Sequence, residues 1–163
     1  MSKAIHAVGI SGSLRRASTN SGLLRCAQAS LPTGMSLEIL DISEIPLYND
    51  DKDKESRTAA VAHALSRIEA ADALVLACPE YNYSIAPALK NMVDWASREP
   101  VNRLLNGKPA AIMGSGGMGT ARAQYHLRQV RVFVNMLPLN KPEVFVNAFA
   151  GGAMPRATSP IQR

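Results

Sequence analysis

Cysteine is scarce in this chain: only Cys26 and Cys78 occur among 163 residues, in no CxxC or metal-type spacing. That excludes a disulfide framework and a thiolate metal site, and both thiols are expected to be buried and inert. No apolar run approaches the ~18 residues of a membrane-spanning helix, and the start MSKAIHAVGI lacks a signal-peptide layout. A cytoplasmic protein with no membrane contact is the expectation. The net charge of +5 comes without a Lys/Arg block, and aromatics, at 5%, are not interleaved with the basic residues. This balance draws anionic small molecules and gives no nucleic-acid surface. Hydrophobic residues at 47% against 19% charged exclude a disordered chain, and the length suits one domain with a five-stranded core.

What is present is a repeated unit of strand then helix. Ala4 to Ile10, Ala73 to Cys78 and Ala110 to Met113 are apolar almost throughout, which suits strands buried on both faces of a parallel sheet. Met35 to Leu40 is mixed, as expected nearer an edge, and a last short strand, Glu143 to Asn147, follows Pro142. Helices are predicted over Asn20 to Ala29, Glu55 to Ala71, Ala86 to Ser97 and Thr120 to Met136. Pro87 sits where a first helical turn tolerates proline, and Ala62, Leu65, Ile68 and Ala71 recur at helical spacing. Such alternation without a composition break reads as one open α/β domain, whose ligand lies beyond the carboxyl ends of the strands. The chemistry should therefore lie in three loops: Ser11 to Thr19, Pro79 to Ile85 and Gly114 to Thr120.

The first loop, within GISGSLRRASTN, joins the first strand to the first helix. A helix start points unpaired N–H groups and the positive end of its dipole at the loop, so an anion is held there by amides and dipole together. Ser11, Ser13, Ser18 and Thr19 add hydroxyls, and Arg15 can add a charge-assisted contact to a phosphate oxygen. No lysine follows a last glycine, as a triphosphate loop requires, and the glycines are not at GxGxxG spacing, as a dinucleotide turn requires. A monophosphate ester gripped by side chains fits; an ordinary Ser-rich loop with a helix N-cap is the alternative.

The second loop exposes Tyr81 and Tyr83 on either side of Asn82, so flat apolar surface and amide hydrogen bonding arrive together, as a planar heteroaromatic ligand would use them. Tyrosines that pack locally in a turn are the alternative. Glu80 is expected to orient the loop and not to act as a base. In the third loop, GSGGMG matches GxGxxG, but no acidic residue follows at the distance a dinucleotide site needs. Its glycines more simply let backbone approach the edge of a ring held by the first two loops. His6, His63 and His126 fall in a strand and two helices, away from all three loops, and no general base is nominated.

Three blocks, GSLRRASTN, PEYNYSIAPALKNMVDW and GGMGTARAQYHLRQV followed by NKPE, resemble in order the NADPH-dependent FMN reductase family, which includes quinone and chromate reductases. The resemblance runs over roughly residues 4 to 147. It implies a flavodoxin-like, doubly wound parallel five-stranded sheet of order 2-1-3-4-5 with FMN at the strand exits. Carried over, Ser11, Ser13, Arg15, Ser18 and Asn20 would grip the FMN phosphate. Pro79, Glu80, Tyr81, Asn82 and Tyr83 would line the ribityl chain and isoalloxazine, with Asn82 and Tyr83 near flavin N5, and Ser115, Gly116 and Gly117 would line the opposite edge. The implied activity is hydride transfer from NADPH or NADH to FMN, then electron transfer to a quinone, a flavin or an oxyanion such as chromate. A flavodoxin-type electron carrier and a poorly active remnant are the alternatives. No metal is expected.

The helix from Thr120 carries apolar residues on more than one side: Leu127, Val130 and Val134 form a stripe, and Tyr125, Val132, Phe133 and Met136 spread around it. This predicts a subunit interface, with Trp95 a candidate member, and the resemblance implies a homodimer or homotetramer. Residues 148–163, AFAGGAMPRATSPIQR, hold two glycines and two prolines and are expected to form no regular structure. The family's closing helix is thus expected to be missing after a domain spanning residues 1–147. An uncovered sheet face would leave the chain marginally stable or dependent on oligomer contacts.

Overall fold

The computed structural model describes residues 4–149. The chain runs β1 (Ile5–Ser11), α1 (Thr19–Ala29), β2 (Met35–Leu40), α2 (Asp50–Glu55), α3 (Ala59–Ala70), β3 (Ala73–Ala77), a small hairpin of β4 (Glu80–Tyr81) and β5 (Ser84–Ile85), α4 (Pro87–Ser97), β6 (Pro109–Gly116), α5 (Ala121–Phe133), β7 (Leu137–Pro138) and β8 (Val144–Asn147). The main sheet is parallel, in the order β2-β1-β3-β6-β7, with β8 pairing the far end of β6. This is the expected 2-1-3-4-5 order with one difference. The fifth position is filled by two short segments, β7 against Pro109 and Ala110 and β8 against Met113 to Gly116, so the sheet has six strands, not five.

Burial explains why the strand sequences are apolar on both sides. Val8, Ile10, Leu74, Leu76, Ala110 and Ile112 point into the main core with Val61, Leu65 and Ile68 of α3, Leu89 and Met92 of α4 and Leu127 of α5. On the other face Gly9 lies against Leu24 of α1 and Leu37 of β2, where an added Cβ would stand 3.1 Å and 3.3 Å from their methyls. Glycine there lets α1 sit close to the sheet.

The helix predicted over 55–71 starts later, as α3 at Ala59, and Glu55 instead ends a separate helix, α2, that the sequence reading did not predict. Ser56 is extended, and Thr58 caps α3 by accepting from the Val61 N–H at 3.3 Å, while Asn49 caps α2 by accepting from Asp51 N–H at 2.9 Å. Two local caps outweigh a continuous helical pattern. The helix predicted over 120–136 ends at Phe133. Trp95 is not an interface residue: it is buried, donates its indole N–H to Pro46 O at 2.8 Å and meets Tyr48 edge-on at 5.0 Å. Cys26 is exposed, contrary to expectation, while Cys78 is buried. Among the described residues no helix is long and apolar enough to cross a membrane, and no cluster of side chains could hold a metal ion. The expected lack of a closing helix concerns residues that lie almost wholly outside the described range.

Candidate cofactor site at the strand exits

The carboxyl ends of β1, β3 and β6 bring the three predicted loops into contact. Gly12 faces Pro79 and Leu89, where an added Cβ would meet Pro79 Cδ at 2.8 Å and Leu89 Cβ at 2.9 Å. The first and second loops therefore touch only because residue 12 has no side chain. A Cβ on Gly114 would lie 2.8 Å from Cys78 O and 1.8 Å from Thr120 Oγ1, so the second and third loops are equally close. Asn20 then ties the first loop to the third. Its side-chain amide donates to Ser115 O at 2.9 Å and accepts from Ser115 N–H at 3.0 Å, wholly buried.

In the first loop the serines accept hydrogen bonds from within the chain. Ser18 Oγ caps α1 by accepting from Ser21 N–H at 3.3 Å, and Ser13 Oγ accepts from Arg15 N–H at 3.4 Å. Ser11 Oγ accepts from Ser21 Oγ at 3.0 Å and from Ser13 N–H at 3.3 Å. Ser11 Oγ also donates to Ser13 O at 3.4 Å, whereas Ser13 and Ser18 donate to nothing among the described residues and keep their hydroxyl protons, which is the polarity a phosphate needs. Arg15 is exposed, and no ion pair holds its guanidinium among the described residues. Asn20 does something different from the serines: both ends of its amide are spent on Ser115, so it braces the cradle from behind.

The second loop is a tight hairpin whose two central residues, Asn82 and Tyr83, both have positive φ, 50° and 66°. Left-handed backbone costs a residue with a bulky side chain roughly 1–2 kcal/mol, so Tyr83 is held there by its contacts. The contacts come from α5. Arg122 stacks its guanidinium 3.7 Å from the Tyr83 ring centroid, and its Nε donates to Glu80 Oε1 at 2.6 Å. Glu80 Oε2 also accepts from the N–H groups of Arg122 and Ala123, at 3.2 Å and 3.4 Å, and so neutralises the positive end of the α5 dipole. The Glu80 hydrogen bond raises the Arg122 pKa above its ordinary value, so the guanidinium stays charged. Glu80 therefore orients the loop, and its carboxylate is committed to α5. Tyr81, Asn82 and Tyr83 remain exposed, which offers the flat surface expected.

The third loop leaves β6 and passes through three consecutive left-handed residues, Met118, Gly119 and Thr120. Ser115 Oγ is buried there without a partner among the described residues. A hydroxyl desolvated and unpaired at the mouth of three converging loops is a donor left for a ligand. Proton-bearing serines, an orphaned hydroxyl and exposed tyrosine rings together fit a phosphorylated, planar heteroaromatic cofactor such as FMN. Burial, with the Glu80 charge adding to it, pushes the Cys78 thiol up to about 12, so Cys78 is held as a neutral thiol beneath the site.

His126 is not remote, as its place in a helix implied. Its Nδ1 shares a 3.1 Å hydrogen bond with Ser84 Oγ on the returning arm of the hairpin. His126 also lines an open cleft of about 340 Å³ with Ser84, Ile85, Lys90, Gln129 and Val130. Sequence reading missed Arg122 as well. A cation in the first turn of a helix, where the dipole repels it, is the available signal that a carboxylate from elsewhere must lie against it.

Residues 5–151 match the family model of the NADPH-dependent FMN reductases. An NAD(P)H-dependent FMN reductase of Pseudomonas aeruginosa is 55% identical over 150 residues, which cover 91% of this chain and 80% of the relative. A quinone reductase of Escherichia coli is 41% identical over 164 residues, covering 98% and 84%. Among solved structures, the flavoenzyme FerB of Paracoccus denitrificans, an NAD(P)H:(acceptor) oxidoreductase, superimposes with a TM-score of 0.81 at 33% identity, over 87% of this chain and 79% of that one.

Proposed function

Because this chain belongs to the NADPH-dependent FMN reductase family, we propose that it carries reducing equivalents from NAD(P)H, through FMN at the three strand exits, to a quinone. It is an oxidoreductase with FMN and NAD(P)H as its cofactors. When bound, FMN supplies the chemistry, accepting a hydride and releasing electrons to the acceptor. The chain's own residues bind and orient. Ser13, Ser18 and Arg15 would hold the phosphate with two hydroxyl protons and one charge, Ser11 shapes the loop through its bonds to Ser13 and Ser21, and the α1 dipole adds to them. Asn20 fixes the cradle to the third loop. Pro79, Tyr81, Asn82 and Tyr83 present one wall to the ring, and Ser115, Gly116 and Gly117 the other. Asn82 and Tyr83 would lie toward the ring nitrogen of bound FMN, where an amide dipole would stabilise negative charge. Glu80 serves the same wall indirectly by anchoring Arg122.

The observation that carries this reading is the convergence of three loops with unspent donors at one end of the sheet. The acceptor range extends to free flavins and to oxyanions such as chromate, favoured by the net positive charge. Residues 1–147 form the FMN domain, the assembly is a homodimer or homotetramer, and the place of action is the cytoplasm, where NAD(P)H is supplied. The test is the visible spectrum of the purified protein with equimolar FMN, followed by anaerobic NADPH and then a quinone. A flavin band that bleaches and returns supports the reading. Bound flavin that NADPH does not bleach points to an electron carrier, and no flavin binding overturns the site.

A further inference from the structure

Two buried amides bracket the third loop. Asn20 holds its beginning at Ser115, and Gln124, on the first turn of α5 and 0% exposed, holds its end. Gln124 Nε2 lies 3.1 Å from Gly119 O, 3.2 Å from Thr120 Oγ1 and 3.0 Å from Val144 O. Two amide hydrogens thus serve three oxygens from the loop, the helix cap and β8. Its Oε1 is buried with no partner among the described residues, so the side chain is not there to satisfy itself. Nor does it serve as ordinary core filling, which an apolar side chain of that size would do without an orphaned oxygen.

The position of Gln124 coincides with the strained part of the loop. Met118, Gly119 and Thr120 have φ of 52°, 63° and 60°. Thr120, the residue before the helix, makes no capping bond to a helix N–H and turns its Oγ1 toward Gln124 instead, while Glu80 takes the helix N–H groups. Gly114 completes the lock, since a Cβ there would stand 2.9 Å from Gln124 Nε2 as well as against Thr120. Between the two amides no side chain braces the loop: Gly116 O accepts from Ala148 N–H at 3.2 Å beside β8, and Met118 O accepts from Ala121 N–H.

We propose that Gln124 is a positioning residue for this enzyme: it sets the height of the Gly116 to Met118 crest over the cofactor, and so tunes both FMN affinity and the balance between oxidised and reduced flavin. The inference rests on the FMN site proposed above. Gln124→Met keeps the bulk and removes the donors; Gln124→Glu keeps the shape and turns the donor nitrogen into a carboxylate oxygen facing three oxygens. Hydrogen exchange is followed in the flavin-free full chain, with the β1 and β3 amides as an internal gauge of global stability. In both variants the amides of residues 116–120 exchange at least tenfold faster while β1 and β3 hold, FMN binds at least tenfold more weakly, and the midpoint potential of the FMN that binds is displaced. Exchange that quickens evenly across the sheet, or a loop that does not change, overturns the proposal. A loosened loop with unchanged FMN affinity and potential overturns it as well. If the unsubstituted protein binds no FMN, the cofactor site itself fails, and the exchange experiment still decides whether Gln124 holds the loop.

Discussion

Asn20 and Ser115, 95 residues apart in sequence, pair through a reciprocal buried bridge in which one side-chain amide satisfies both the N–H and the C=O of a single residue. This bridge imitates a step of β-ladder between a helix and a strand exit. It sits between the Ser11–Thr19 loop and the glycine loop, so it makes one site of two loops that would otherwise be independent.

Replacing Asn20 by leucine should therefore damage stability and binding together. Two hydrogen bonds vanish and Ser115 is left with buried, unpaired backbone groups, a loss of about 3 kcal/mol on the usual scale for such groups. Urea denaturation should show a lower midpoint with an unchanged slope. FMN titration should show weaker binding even under conditions where the variant is fully folded. An unchanged midpoint would remove the bridge from the account of the fold.

Arg15 makes the contrasting case, because its side chain is exposed and among the described residues its guanidinium makes no hydrogen bond or ion pair. Arg15→Ala should leave the melting temperature unchanged and weaken FMN by about 1.5–3 kcal/mol, the range for a hydrogen bond to a charged group, or roughly 10- to 100-fold. The affinity of the unsubstituted protein should fall with added salt, and that of the variant should fall less. Riboflavin, which lacks the phosphate, should bind both proteins equally; a loss of riboflavin affinity in the variant would place Arg15 somewhere other than at the phosphate.

The strands and the three loops were legible because their signals are local: continuous apolar runs for β1, β3 and β6, and glycine or serine clusters at their ends. What was illegible lies in pairings across the chain. Nothing in the periodicity of α5 says that His126 meets Ser84 or that Arg122 stacks on Tyr83, since both depend on where the β4–β5 hairpin, far earlier in the chain, comes to rest. Trp95 was misplaced for a similar reason. Its apolar surface is covered by Tyr48 and the Pro46 carbonyl, from a segment that carries no regular structure to predict. The late start of the second predicted helix turned on one threonine cap, a signal present in the sequence but outvoted by the apolar repeat that follows it.

The two cysteines should differ sharply in reactivity and in what they do to the pH dependence of stability. Cys26 is exposed and should be alkylated in the folded protein at pH 8, whereas Cys78 should react only after unfolding. Burial raises the Cys78 pKa from 9.0 to about 12. Its contribution to stability is therefore complete below about pH 9 and is lost as pH rises from there toward 12, because the unfolded thiol ionises first. Cys78→Ala should flatten that alkaline loss. Two equivalents of alkylation in the native protein would contradict the burial.

The last prediction concerns self-association. Val132 and Phe133, at the end of α5, are 77% and 84% exposed, and Tyr125 on the same helix is also exposed beside Phe145 at 6.4 Å between ring centroids. Leu127 already serves the core, so these side chains are not needed to hold α5 on the sheet. Burying each against a second copy would contribute about 1.5–3 kcal/mol, enough for two such side chains per subunit to decide a dimer. Val132→Asp with Phe133→Ser should therefore lower the sedimentation coefficient to that of a monomer at micromolar concentration. The folded monomer should keep its far-ultraviolet spectrum, because neither side chain packs in the core. An unaltered oligomer would move the interface to another face, and a protein already monomeric before substitution would remove the proposal.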